Sequence, residues 1–245
     1  MKDLTFSINE GEILGLIGPN GAGKTTAFNL IAGVYKPDRG TIAFDERKIS
    51  GLGSHKISQA GVSRTFQTVR PFTRMTVLEN VAVGALFGRE HAISVGKAKE
   101  EARKILSYTS FERKANVQAS SLTLAEQRRL ELARALAAKP RLLMLDEVMA
   151  GLNDKEILST LDLLRKIRNE KKVTLLVIEH VMKAIVQLCD RIVVMDYGEK
   201  IAEGVPSEVM RNEAVITAYM GERKDRCGEN SKAFPKADSS SEAVL

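Results

Sequence analysis

Gly18-Pro19-Asn20-Gly21-Ala22-Gly23-Lys24-Thr25-Thr26 is the most informative run of this sequence. An apolar segment at 13–17 leads into it, and apolar residues follow it at helical spacing. The order is therefore strand, glycine-rich loop and helix, which is the context that a P-loop requires. An ordinary glycine-rich turn is the competing interpretation, and the full pattern in this context disfavours it.

Each residue type in the run suits the binding of phosphate. The glycines allow successive backbone N–H groups to point at a phosphate chain. Lys24 places a positive charge on the terminal phosphates, and the hydroxyl of Thr25 can ligate Mg2+. The following helix adds the positive end of its dipole. We therefore predict that residues 18–26 bind a nucleoside triphosphate.

Composition narrows the class of protein. A chain of 245 residues with 44% hydrophobic and 28% charged residues is expected to be a soluble globular protein, either one large domain or one domain with an inserted lobe. No stretch approaches the roughly 20 apolar residues of a membrane span, and no signal segment is evident. Cys189 and Cys227 suggest no disulfide framework, and three scattered histidines suggest no zinc site.

The net charge of +6 raises the question of an anionic partner. A nucleic acid or an anionic membrane surface is one interpretation, and a set of solvated basic faces is the other. The second is favoured because no aromatic residues interleave with the basic ones, as single-strand binders require. We expect a protein of the reducing cytosol that binds no nucleic acid.

Helices alternate with buried strands along most of the chain. This order predicts an α/β fold with a mainly parallel core sheet and phosphate chemistry at the carboxyl ends of its strands. Alternation at Leu4, Phe6 and Ile8 predicts an edge or half-buried strand. Further strands are expected at 62–66, 141–145 and 173–178, with an antiparallel hairpin at 191–195 and 200–202.

The middle of the chain has a different pattern. Residues from about 77 to 110 show helical periodicity, and another helix is expected at 126–138. We interpret about 70–138 as a helical lobe inserted into the α/β core, with a single domain covering 1–222. Residues 223–245 are rich in Ser, Lys and Glu and are expected to form a disordered tail.

Four polar residues follow predicted strands at the edge where the P-loop lies. Asp146 can hold the water shell of a metal ion, and Glu147 can accept hydrogen bonds from the water that attacks the γ-phosphate. Gln67 can coordinate Mg2+ through its amide oxygen, and His180 can donate to the γ-phosphate. Taken alone, Gln67 and His180 are better explained as structural polar residues.

The order of these residues in the chain is more specific than any one of them. Over residues 3–221 the chain resembles the ATP-binding subunit of ABC transporters, most closely the ATPases of branched-chain amino-acid importers. The resemblance rests on five segments besides the P-loop: Gly61-Val62-Ser63-Arg64-Thr65-Phe66-Gln67, Met75-Thr76-Val77-Leu78-Glu79-Asn80, Asp146-Glu147-Val148-Met149-Ala150-Gly151-Leu152-Asn153, Ile178-Glu179-His180 and Leu188-Cys189-Asp190-Arg191-Ile192-Val193-Val194.

The resemblance implies a catalytic cycle shared between two chains. ATP would lie between one chain's P-loop and the signature segment of a second subunit, reached through Thr123 and Ala125, in a head-to-tail homo- or heterodimer. Glu147 would be the catalytic base and His180 the γ-phosphate sensor. Mg2+ would be held by Thr25, Gln67 and Asp146.

The resemblance also implies a membrane partner. A groove beside Gln67 and the helical lobe would receive a coupling helix from a membrane permease. The chain would then lie on the cytoplasmic face of the cell membrane, without a transmembrane segment of its own.

Three departures from the family pattern are visible. The usual signature Leu-Ser-Gly-Gly-Gln reads Leu122-Thr123-Leu124-Ala125-Glu126 here, so two flexible glycines are replaced and a negative charge is added near a phosphate. That charge is unfavourable unless it points away. The loop after Glu147 ends in Asn153 instead of Asp, which weakens a contact with the second chain.

The third departure is at the amino terminus. The family has a first strand and an adenine-stacking aromatic residue before the position of Lys2. Either the start is misassigned or the base is held less tightly, at a cost of about 1–3 kcal/mol for one stacking partner.

Three alternative functions remain. An exporter or lipid-transport ATPase would have the same motifs, because substrate choice lies in the permease. A soluble ATPase of DNA repair or translation is disfavoured, because those proteins carry two nucleotide domains or a long coiled-coil insertion. A hydrolysis-poor binding module is also disfavoured, because Lys24, Asp146, Glu147 and His180 are all present.

Overall fold

A six-stranded sheet organises the fold. The computed structural model describes residues 1–88 and 93–224, and in that part the sheet order is β4-β5-β6-β1-β7-β8. The first five strands in this order pair in parallel, and β7 and β8 form the expected antiparallel hairpin. A separate two-stranded antiparallel sheet joins β2 and β3. The strands are β1 Ile13–Ile17, β2 Ala43–Phe44, β3 Arg47–Lys48, β4 Val62–Arg64, β5 Leu142–Asp146, β6 Thr174–Ile178, β7 Arg191–Asp196 and β8 Glu199–Gly204.

Nine α-helices are assigned in the described residues. They are α1 Lys24–Ile31, α2 Ser54–Ala60, α3 Val77–Phe87, α4 Val95–Tyr108, α5 Leu124–Ala137, α6 Asp154–Lys171, α7 Met182–Leu188, α8 Pro206–Val209 and α9 Glu213–Lys224. Short 3-10 turns at Glu112–Lys114 and Ala119–Ser121 lie between α4 and α5.

The central strand β1 shows why the sheet has a core on each face. All five of its residues are buried, and successive side chains of a strand point to opposite faces. Ile13 and Ile17 belong to one apolar cluster, whereas Leu14 and Leu16 belong to another. A continuous apolar run is therefore the expected sequence for this strand, since parallel sheets are covered on both faces. The arrangement fixes the end of β1, and with it the start of the P-loop.

The helices α3, α4 and α5 pack around a third apolar cluster, and we call these three helices the helical lobe. Close contact between α3 and α5 depends on glycine. A Cβ at Gly84 would lie 2.1 Å from the carbonyl oxygen of Arg134, so only glycine fits there without movement. Helix α5 belongs to both parts of the molecule, since Leu130 lies in the third cluster and Leu132 in the cluster of α6 and α7.

Two expectations about the elements require correction, at the amino-terminal and carboxyl-terminal ends, and the expected helical region at 77–110 is confirmed and resolved further. Leu4, Phe6 and Ile8 are half-buried at alternate positions, but the segment is not a strand. Alternating burial shows only that one side of an extended segment is covered, whereas a strand also requires backbone hydrogen bonds to a neighbouring strand. The helical pattern of 77–110 is two helices, with residues 89–92 between them outside the described residues. Helix α9 continues through residues 223 and 224, and the expected tail at 225–245 lies outside the described residues.

Two further expectations concern membranes and cysteine. Across residues 1–88 and 93–224, no helix is long and apolar enough to cross a membrane. Cys189 is buried against the apolar cluster beneath β1, and this burial raises the pKa of its thiol to about 12. The thiol is therefore uncharged at neutral pH and packs as part of the apolar core. The division into a domain at 1–222 and a lobe at about 70–138 stays a prediction.

Candidate nucleotide-binding and hydrolysis site

The P-loop follows β1 and leads into α1, as expected. Gly18, Gly21 and Gly23 all have positive φ, the region that favours glycine. A Cβ at Gly18 would lie 2.0 Å from the carbonyl oxygen of Met195, so this turn also brings the loop against β7. The sequence therefore needs glycine here for two reasons, backbone conformation and close approach.

Lys24 lies inside the loop. Its side chain is buried, and Nζ donates to the carbonyl oxygens of Gly18 at 2.6 Å and Pro19 at 2.8 Å. The N-cap of α1, Gly23, offers no side-chain hydrogen bond to the first turn. The first turn of α1 therefore receives no side-chain cap, and the Lys24 ammonium lies against the carbonyl groups of the same loop. The loop thus provides the donors and the positive charge that a phosphate requires.

Asp146 ends β5 as predicted, and it forms an ion pair with Arg64 that the sequence did not predict. The carboxylate is 1% exposed, and its Oδ2 accepts from Arg64 Nη2 at 2.7 Å. Arg64 is itself buried, lies against the rings of Phe28 and Phe66, and donates to Asn29 Oδ1 at 2.5 Å. The other carboxylate oxygen, Oδ1, is buried without a hydrogen-bond partner. That unpartnered oxygen fits a role in holding a hydrated cation.

Glu147 is the centre of a polar cluster. Its Oε2 accepts from Gln67 Nε2 at 3.0 Å, and its Oε1 lies 2.8 Å from His180 Nε2. The backbone of Glu147 has φ 52°, a left-handed conformation that is unfavourable for a residue with a Cβ. Its N–H donates to the carbonyl oxygen of Ile178 at 2.9 Å, which holds this turn against β6. Three of the predicted residues, far apart in sequence, therefore meet at the carboxyl ends of β4, β5 and β6.

Glu179 lies beneath this cluster and had no predicted role. It is 1% exposed, and Oε1 accepts from the backbone N–H of Met149 at 2.7 Å. Burial raises the pKa of Glu179 to about 7. The hydrogen bond ties the loop after Glu147 to the end of β6 and so supports the site from below.

The altered signature segment forms the amino-terminal cap of α5. The Thr123 hydroxyl accepts from the Glu126 N–H, and Glu126 Oε2 accepts from the Thr123 N–H at 3.0 Å. Glu126 also pairs with Lys114 at 2.9 Å. The Thr123 N–H, together with Lys114, holds the pKa of Glu126 below its usual value. The negative charge expected to disturb a phosphate is thus engaged within its own chain, and Ala125 lies half-buried in the first turn.

Asn153 has a similar structural role. Its side-chain oxygen accepts from the Glu156 N–H at 3.0 Å, and Glu156 accepts from the Asn153 N–H at 2.9 Å. This capping box begins α6. An Asn serves this cap about as well as an Asp, so the departure from the family pattern keeps the helix start intact.

A groove lies between helices α3 and α5 on one side and α2 and the segment at 66–72 on the other. It has a volume of about 320 Å³, and aromatic side chains of Phe66, Phe72 and Phe87 line it. Phe87 is 72% exposed, which is unusual for a large apolar residue. Arg134 lies in the wall, where it stacks on Phe72. Phe66, the residue before Gln67, lines the groove, and the docking of a permease there stays a prediction.

Sequence reasoning missed three charged side chains of low exposure beside this site: Arg64, Arg128 and Glu131. Arg64 follows a short strand, and nothing in its spacing shows that it pairs with Asp146. The signal for Glu131 was available, because it lies among apolar residues on a helix whose other face is polar. A charge at such a position is buried and requires partners.

Comparisons with known proteins agree with this geometry. Residues 1–150 match the family model described as ABC transporter, and residues 199–225 match one described as branched-chain amino acid ATP-binding cassette transporter. The chain is 44% identical over 235 residues to the high-affinity branched-chain amino acid transport ATP-binding protein LivG of Escherichia coli K12, covering 91% of this chain and 92% of the relative.

Solved structures show the same fold. The ADP conformation of MJ1267, an ATP-binding cassette of an ABC transporter, superposes with a TM-score of 0.80 at 29% identity, covering 89% of this chain and 91% of the other. The dimeric bacterial ABC transporter cassette MJ0796 gives a TM-score of 0.74 at 28% identity, covering 82% and 88%. These findings confirm the predicted fold class, a mainly parallel α/β P-loop ATPase fold with an antiparallel portion. The chain belongs to the ATP-binding family of ABC transporters.

Proposed function

We propose that this chain hydrolyses ATP to power an ABC importer for branched-chain or related amino acids. The observation that carries the hydrolytic part is the cluster at Glu147, where a carboxylate at the end of β5 contacts both Gln67 and His180. A binding protein without turnover has no need for this strained carboxylate beside the P-loop. The amino-acid part is supported by the name of the LivG relative and by the match at residues 199–225.

The residues take distinct roles in the proposed reaction. Residues 18–26 bind the phosphates through backbone N–H groups and the ammonium of Lys24. Glu147 accepts a proton from the attacking water as general base, and Gln67 orients that carboxylate. His180 contacts Glu147 and would donate to the γ-phosphate of bound nucleotide.

Mg2+ is the cation that suits these side chains. Thr25 offers a hydroxyl, Gln67 an amide oxygen, and Asp146 a buried carboxylate oxygen without a partner. Mg2+ would neutralise charge on the phosphates during transfer. The chain's own contribution is to hold Asp146 in place through Arg64, at 2.7 Å.

A second subunit would complete the site. In the proposed head-to-tail dimer, Thr123 and Ala125 of one chain face the P-loop of the other, where the start of α5 directs its N-terminal dipole toward phosphate. The MJ0796 cassette is described as dimeric, which supports a dimer here. Because Glu126 is already paired with Lys114, its charge is partly neutralised where the dimer would form.

The groove would receive the membrane partner. Its aromatic lining suits an amphipathic helix, which places apolar residues into such a groove at helical spacing. We therefore propose that a permease docks in this groove, between the helical lobe and the segment at 66–72. The chain would then act at the cytoplasmic face of the cell membrane.

Replacing Glu147 by Gln tests the hydrolytic role. The amide keeps the shape and an acceptor oxygen for Gln67 but cannot act as a base, so we expect turnover to fall by about 100-fold or more while ATP still binds. Glu100→Gln, at an exposed position of α4, is the matched control and should behave like the wild type. Turnover that survives in Glu147→Gln would reject Glu147 as the base.

The transported molecule needs a separate experiment. The chain should copurify with a permease pair of a branched-chain amino-acid importer from the same organism when the three are expressed together. Uptake of radiolabelled leucine in cells with that pair should depend on this chain and be lost with Glu147→Gln. Uptake of leucine that does not depend on it would reject the amino-acid assignment and leave the ATPase assignment standing.

A further inference from the structure

The residue before Gln67 is held by two buried charged side chains of α5. The carbonyl oxygen of Phe66 accepts from Arg128 Nη1 at 3.2 Å, and the N–H of Phe66 donates to Glu131 Oε1 at 3.3 Å. Both α5 residues are buried, Arg128 at 9% and Glu131 at 3% exposure. We call Arg128 and Glu131 the α5 clip. They satisfy both backbone polar groups of a peptide segment that has left β4 and has no ladder partner there.

The rest of this segment is fixed from the other side. The N–H of Thr65 donates to the carbonyl oxygen of Met144, and the Thr65 hydroxyl accepts from the N–H of Asp146. Thr65 is therefore held by β5, and Phe66 by α5. Gln67 is the first residue beyond these contacts, and its side chain donates to Glu147. The position of the Gln67 amide therefore depends on how the α5 clip holds Phe66, the residue before it.

The clip also contacts the groove. Arg134 lines the groove, donates to the carbonyl oxygen of Arg70 at 3.1 Å, and lies 3.7 Å from Glu131 Oε1. The other oxygen of Glu131, Oε2, is buried with no hydrogen-bond partner. A continuous set of contacts thus runs from the groove through Arg134 and Glu131 to Phe66.

We propose that Arg128 and Glu131 are positioning residues for ATP hydrolysis, which hold Phe66 so that Gln67 meets Glu147. This inference rests on the proposed function. It adds two residues of α5 that act through the backbone of Phe66, and it makes the helical lobe part of the support of the catalytic carboxylate. Burial raises the pKa of Glu131, in agreement with its enclosed position.

The test compares Glu131→Leu with Glu131→Gln. Leu removes the acceptor for the Phe66 N–H, whereas Gln removes the charge and keeps an acceptor oxygen. We expect kcat for ATP to fall about fivefold or more in Glu131→Leu with KM within about twofold, since only positioning at the transition state is lost. Glu131→Gln should retain most of the wild-type kcat.

Arg128→Met provides a second variant with a matched control one residue away. Arg129 is on the same helix and donates to Ser159 instead of Phe66, so Arg129→Met should keep the wild-type kcat. Arg128→Met should lower kcat, again without raising KM. Melting temperatures identify any variant that is unfolded.

Hydrogen exchange measures the clip directly and needs no turnover. Peptides that cover residues 64–70 should exchange faster in Glu131→Leu and Arg128→Met, and at the wild-type rate in Arg129→Met and Glu131→Gln. The inference is overturned if exchange is unchanged, if kcat is unchanged despite faster exchange, or if Glu131→Gln is as impaired as Glu131→Leu. Failure of the proposed function would appear differently, as a Glu147→Gln variant with wild-type turnover.

Discussion

The buried pair between Arg64 and Asp146 allows a quantitative prediction about stability. The two side chains are 8% and 1% exposed and lie 2.7 Å apart. Replacing Arg64 by Met keeps much of the apolar stem over Phe28 and Phe66 but leaves the carboxylate buried without its charge partner. Removing one member of a buried pair costs about 3–5 kcal/mol, most of it from the uncompensated charge.

The expected change in melting temperature follows from the size of the chain. For domains of 150–250 residues, 1 kcal/mol shifts the melting temperature by about 2–4 °C. A loss of about 3 kcal/mol should therefore lower it by roughly 6–12 °C. Urea unfolding at pH 7 and calorimetry without nucleotide both measure this change.

A matched exposed pair provides the control. Arg165 contacts Asp162 at 3.1 Å, but the two side chains are 41% and 77% exposed. Exposed pairs contribute about 0–1 kcal/mol, so Arg165→Met should change the melting temperature little. Adding Asp146→Asn to Arg64→Met should recover much of the lost stability, because the buried charge is then absent. The reasoning is refuted if Arg64→Met costs no more than Arg165→Met, or if the double variant is no more stable than Arg64→Met.

The remaining predictions concern titration, packing and thiol chemistry. The pKa of Glu179 rises from 4.5 to about 7 on folding, so the free energy of unfolding falls as pH rises from about 4.5 to 7. Between pH 5 and pH 8, Glu179→Gln should therefore gain roughly 2–3 kcal/mol in free energy of unfolding relative to the wild type. Urea titrations with the same pH dependence for both proteins would contradict this. Gly84→Ala places a Cβ 2.1 Å from the carbonyl oxygen of Arg134 and should cost about 1–3 kcal/mol in thermal unfolding, whereas Gly96→Ala, whose Cβ meets nothing closer than 3.9 Å, should cost nothing. The thiol of Cys189 should resist alkylation at pH 8 until the protein unfolds, as peptide mass spectrometry can measure, and fast labelling of the native protein would show that it is not buried.

The parts of this site that could be predicted from sequence are local. The P-loop needs glycine because its backbone has positive φ, and the residues that need it are adjacent in the chain. Asp146 and Glu147 follow an apolar run that can only be a buried strand. Their placement at the strand's carboxyl end follows from parallel topology.

The parts that could not be predicted are the pairings across the fold. Arg64 and Asp146 are 82 residues apart, and no periodicity relates them. The same holds for Phe66 and Glu131, whose contact depends on how α5 crosses β4. Glu126 is a local case, in contrast to these pairings. Its partner Thr123 is only three residues away, and the capping-box pattern Thr-x-x-Glu in the sequence predicts that the Glu126 carboxylate is engaged within its own chain.

Helix α5 has a mechanical consequence for the site that the proposed dimer would share between two chains. Its N-terminal end at Thr123 would face the partner's phosphate, and its Arg134 lines the groove. Eleven residues separate the two, which is about 16 Å along a helix axis. A tilt of about 10° in this rod would therefore displace one end by roughly 3 Å relative to the other. An occupant that shifts the groove end of α5 would thus change the gap across the shared nucleotide, without any residue in between having to unfold.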